Sequence, residues 1–114
     1  MDKLRELSEQ CNEMQRKLIK KMIHSAIDYV RAVVIMETAA SNIEGLDAKE
    51  AKENRESADR ARTIAHDAFI SSVDVVNRLC DKHGLPHIYN GGEHRRDYGD
   101  FALRLVDDIF IKRQ

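Results

Sequence analysis

Cys80, His83 and His87 stand in a C-x2-H-x3-H run, with Cys11 far upstream. Two thiolates and two imidazoles are a donor set that zinc takes in tetrahedral structural sites. Cys11, Cys80, His83 and His87 therefore form a candidate metal site, provided the fold returns the N-terminal cysteine to the other three. Two observations weigh against it. Gly84 lies inside the run, where a helix would end, and zinc modules usually supply paired cysteines. The plainer expectation makes both thiols small buried hydrophobes, with a disulfide between them as a third option. No cofactor is assigned on this pattern.

A second polar set follows the same stretch. Arg78, His87, Tyr89 and Arg95 flank Pro86 and the Asn90-Gly91-Gly92 turn. Loops held on rigid scaffolds carry function more often than helix faces do, so these four are candidate lining for a small-ligand pocket. A third set, His24, Asp28, His66, Asp67 and Asp74, places imidazoles and carboxylates at helical spacing. Di-metal bundles use Glu-x-x-His motifs for such work. The chain has none, and a hydrogen-bonded histidine at the core boundary is the plainer reading. Arg16, Lys17, Lys20 and Lys21 make a small basic patch, but Glu9 and Glu13 lie beside it, as on a solvated helix face.

The elements that must position these residues are helices. Leu4, Leu7, Cys11, Met14, Leu18, Met22, Ala26, Val30, Val33, Ala40 and Ile43 recur at steps of three and four, with one wider step. That is the stripe of an amphipathic helix. Neither proline nor glycine interrupts it, so the spacing predicts one helix from Leu4 to Ile43, roughly 60 Å long at 1.5 Å per residue. Gly45 ends it, and Asp47 with Glu50 starts a second helix in the manner of a capping box. The second helix runs from about Ala48 to Lys82 on a stripe of Ala51, Ala58, Ala61, Ala65, Ala68/Phe69, Ser72, Val75/Val76 and Leu79, and stops at Gly84 and Pro86. A third begins near Asp97 and carries Phe101, Leu105, Val106, Ile109 and Phe110 on one face. A short connection makes the first two helices antiparallel neighbours. A turn near Gly45 makes facing residue numbers sum to about 91. Cys11 then meets Cys80, and His24 meets His66 and Asp67, while Asp107 on the third helix is an ion-pair partner for Arg78.

Composition narrows the function. A length of 114 residues suits a single helical-bundle domain, 1–114. With no tryptophan and 5% aromatics, an aliphatic core is expected. A net charge of −1 argues against a dedicated nucleic-acid binder. No apolar run approaches the ~18 residues of a membrane span, and the start of the chain carries no apolar signal region. A cytoplasmic protein is expected. Two cysteines are too few for a disulfide framework.

Three resemblances bear on activity. Ala65-His66-Asp67-Ala68-Phe69 resembles the phospho-accepting segment of histidine phosphotransfer domains, but Phe69 and Ile70 stand where that family has a lysine and a glycine. Glu37, Glu44, Asp107 and Asp108 invite comparison with all-helical pyrophosphohydrolases, whose paired acidic motifs are missing here. The stretch from Arg62 to Phe110, chiefly Ala65-His66-Asp67, Asn77-Arg78-Leu79-Cys80 and Asp100-Phe101-Ala102, is similar to small helical bacterial proteins of unassigned function. That resemblance implies no activity.

The expected fold is all-α: a long antiparallel hairpin with a shorter third helix, completed as a bundle by dimerisation. Three helices leave part of such a hairpin uncovered, and exposed apolar stripe marks an interface. The expected function is a helical interaction or regulatory module acting through protein–protein contacts with a second copy and an unknown protein partner. The alternative is a small metal- or ligand-binding enzyme with its site at the open end of the hairpin.

Overall fold

A computed structural model describes residues 2–41, 45, 47–90 and 96–110 of the chain. It contains four helices, α1 (Asp2–Gln10), α2 (Glu13–Ser41), α3 (Ala48–Lys82) and α4 (Arg96–Phe110), and no strand among the described residues. The all-α class and the long antiparallel pair are as expected.

The first helix is not continuous. It breaks at Cys11 and Asn12, with neither proline nor glycine to force it. The cause is a reciprocal amide cap. Asn12 Oδ1 accepts the Gln15 backbone N–H at 2.8 Å, and Gln15 Oε1 accepts the Asn12 N–H at 3.1 Å. Two orphan donors at the start of α2 are thereby satisfied, as in a capping box. At the end of α1, the Ser8 carbonyl accepts from the Cys11 N–H and from Arg16 Nε at 3.0 Å.

The break shifts the phase of the apolar stripe. Leu7 and Cys11 are buried before it; Ile19, Met22, Ala26 and Tyr29 are buried after it. Met14 and Leu18, expected in the core, are 76% and 38% exposed.

Local chemistry sets the ends of α3. Asp47 accepts the Glu50 N–H at 2.8 Å. At the other end Gly84 takes φ +68°, a conformation that suits glycine. The Leu85 N–H then reaches the Cys80 carbonyl at 2.9 Å and the Gly84 N–H the Asp81 carbonyl at 3.2 Å, the two bonds of a Schellman motif.

The core gathers Leu7, Ile19, Met22, Ala26, Tyr29, Phe69, Val73, Val76, Leu79, Phe101, Ala102 and Leu105. Burying each large side chain among these contributes about 1.5–3 kcal/mol. At its centre six rings form a closed circuit. Tyr29 meets His66 edge-on, and His66 meets Tyr98; Tyr98 meets Tyr89, which stacks on Phe101; Phe101 meets Phe69, and Phe69 meets Tyr29. Aromatic side chains are few but concentrated at this junction of α2, α3, α4 and the 85–90 segment. An aliphatic core was expected, and the junction departs from it.

These rings, rather than the turn, set how α2 lies on α3. Gln15 faces His83 and Ser25 faces Ser72, so facing numbers sum to 98 and 97 rather than about 91. The stagger amounts to about two helical turns. Consequently Tyr29, not His24, stands against His66, and His24 is exposed.

Candidate functional site

The open end of the hairpin is built around one amide. Asn77, one turn before the close of α3, donates from Nδ2 to the Tyr89 carbonyl at 2.7 Å, and its Oδ1 accepts the Ile88 N–H at 3.1 Å. An extended segment is thus clasped much as a neighbouring strand would hold it. Ile88 is buried beneath, and the Tyr89 ring lies flat on Phe101, with centroids 4.5 Å apart and planes 8° apart. Both bonds go to the loop, since an amide can offer one donor and one acceptor to the same stretch of backbone.

His87 sits at the rim of this loop. One ring nitrogen lies 2.7 Å from Asp81 Oδ1 and the other 2.8 Å from Asn90 Oδ1. The hydrogen bond to Asp81, then that to Asn90, raises the imidazole above its ordinary range. His83 points elsewhere, to Gln15 Oε1 at 3.2 Å. Arg78 is exposed and makes no ion pair with Asp107 among the described residues. Arg95 lies outside the described residues.

Cys11 and Cys80 are both buried with free thiols, and both belong to the central core cluster. Burial pushes the Cys11 thiol up, against a smaller opposing pull from Arg16. Burial likewise raises Cys80, and negative charge on Asp81 and Cys11 adds to the effect. Gln15, four residues after Cys11, bonds to His83, three residues after Cys80, so the two cysteines lie in the same part of the core. The two histidines of the run are each committed to other partners. No group of three or more His, Cys, Asp or Glu among the described residues is arranged to hold a metal ion.

Surface hollows among the described residues lie away from this end. One, about 380 Å³, has an apolar floor of Leu4, Ile19, Ile23, Leu105 and Ile109 between α1, α2 and α4, with Arg5, Glu9, Arg16 and Asp108 around it. A second, about 250 Å³, lies beside Tyr29, Val30, Val33, Val34, Gly99 and Asp100. The third, about 270 Å³, runs along the α2–α3 seam on Leu18, Lys21, Ser25, Ala68, Ser71, Ser72 and Val75.

The third hollow belongs to a longer face. On α2 the exposed or half-buried residues Met14, Leu18, Ser25, Ala32 and Ile35 share one side, and on α3 Ile64, Ala68, Ser71 and Val75 do the same. Ile35 is 54% and Ile64 70% exposed. The steps of three, four and seven that place these residues on one face were present in the sequence. They were obscured because Met14 and Leu18 also fit the inner stripe when α1 and α2 are read as one helix, and Ala68 stands beside Phe69 on the inner stripe of α3.

The whole chain, residues 1–114, matches the model of a family described as Protein of unknown function (DUF3232), and the protein belongs to that family. Neither a curated protein nor a solved structure matches the chain. No helix among the described residues is long and apolar enough to cross a membrane.

Proposed function

We propose that this protein is a non-catalytic helical interaction module whose first contact is with a second copy of itself through the α2–α3 face. The single observation that carries the reading is that face, where Met14, Leu18, Ile35 and Ile64 are exposed beside small residues. Ser25, Ala32, Ala68 and Ser71 keep its middle low, which permits close approach of helices. A two-fold axis parallel to the helices stacks α2 of one copy on α3 of the other and gives a four-helix core with α1 and α4 outside. Such a contact uses the same patch on both copies. One charged side chain, Lys21, also lines the hollow.

This reading treats residues 1–114 as one domain working in the cytoplasm. A small-ligand enzyme at the open end has less support, because Tyr89 is stacked into the core and both ring nitrogens of His87 are engaged.

Light scattering on the size-fractionated protein tests the reading. The expected result is twice the chain mass, falling to one chain mass in a Leu18→Glu, Ala68→Glu double variant whose helicity is unchanged. A wild-type chain that stays monomeric at high concentration would refute self-association.

A further inference from the structure

We propose that Cys11 and Cys80 form a reversible disulfide site that ties the α1–α2 joint to the last turn of α3. Two features bring the cysteines into one part of the core. Both lie in one buried cluster. Four residues after Cys11, Gln15 is hydrogen-bonded at 3.2 Å to His83, three residues after Cys80, so the flanking segments are already fastened side by side. The influence of Cys11 on the Cys80 thiol agrees with this.

Disulfide geometry is demanding, with Cα atoms about 4.4–6.8 Å apart. Cys80 is fixed within α3, but Cys11 occupies the non-helical joint between α1 and α2. A residue outside a helix can adjust its backbone at low cost, and that freedom lets the two sulfurs meet.

The co-reactant is a low-molecular-weight disulfide. Local opening of α1 exposes Cys11, whose thiolate attacks one sulfur of the small disulfide and displaces one small thiolate. The Cys80 thiolate then attacks the Cys11 sulfur of the mixed disulfide and displaces the second. One protein disulfide forms, two electrons pass to the small disulfide, and the two thiol protons end on the two small thiols released. Burial holds both thiols largely protonated in the closed fold, so the rate follows the opening of α1 and the reaction stays slow until that helix lifts.

The test is intact-mass measurement of the native full chain after incubation with glutathione disulfide. The expected product is a monomeric chain lighter by about 2 Da, restored by dithiothreitol. A Cys80→Ser variant should instead retain one glutathione adduct, on Cys11. The proposal is overturned if the wild-type chain keeps adducts on both cysteines, if the disulfide links two chains, or if the internal bond forms only in urea. The wild-type measurement stands alone, so a serine variant that folds poorly does not remove the test.

Discussion

The Tyr29 hydroxyl rests over the bare α-carbon of Gly99, so that a methyl group added there would stand 3.0 Å from the oxygen. Gly99 lies inside α4, where alanine would ordinarily stabilise the helix by about 1 kcal/mol. Tyr29 cannot easily give way, because its ring is held between His66 and Phe69. Gly99→Ala is therefore expected to lower the melting temperature, although its intrinsic helix propensity is higher. In a Tyr29→Phe background, where the oxygen is gone, the same change should raise it. A double-mutant cycle by thermal denaturation reads the difference directly.

Asn12→Ala gives a result whose sign reports the α1–α2 break. In one continuous helix, alanine would be the better residue and stability would rise. With Asn12 as the cap of α2, its loss is expected to cost about 1 kcal/mol. Urea denaturation of the single variant distinguishes the two cases.

Removing the Asn77 amide should release the loop after α3. Asn77→Ala leaves the Tyr89 carbonyl and the Ile88 N–H without that partner, which is expected to cost about 1–3 kcal/mol. Amide hydrogen exchange should accelerate first at Ile88. Asn77→Asp is expected to do no better, since a carboxylate turned toward the Tyr89 carbonyl has no proton to donate.

Acidity should tighten the rim of the same loop. The folded state raises the His87 pKa, chiefly through its bond to Asp81 and next through Asn90. A raised imidazole contributes stability that is fully present below its unfolded value, about 6.5, and that is lost as pH rises through the folded value. A proton NMR titration is expected to show His87 titrating above the unfolded peptide, and Asp81→Asn should bring it back toward that value.

Most of the architecture could be read from residue patterns. Asp47 with Glu50 marked the start of α3, Gly84 marked its end, and Phe101 and Leu105 marked the buried side of α4. The break before α2 was missed because its apolar residues continue in step on both sides, while the signal that mattered was the polar pair Asn12 and Gln15. The register was missed for a different reason. A turn near Gly45 gives only the simplest estimate of it, whereas bulky contacts such as Tyr29 against His66 and Phe69 decide the stagger, and those depend on where α4 lies.

At the candidate site, the segment holding Asn77 and Cys80 was recognisably unusual. Which partners it would choose depended on how the chain returns after Gly84, and spacing along one helix does not carry that information. Both cysteines are buried, as the plainer reading had them, while the histidines beside them turned to Gln15, Asp81 and Asn90.

The ring circuit also gives the chain an unusual optical property. It has no tryptophan, and its three tyrosines, Tyr29, Tyr89 and Tyr98, all stand in that circuit. Its near-ultraviolet circular dichroism therefore comes mainly from a single place, the seat of α4. Loss of that band with far-ultraviolet helicity retained would mark α4 lifting from an intact hairpin, with no label attached.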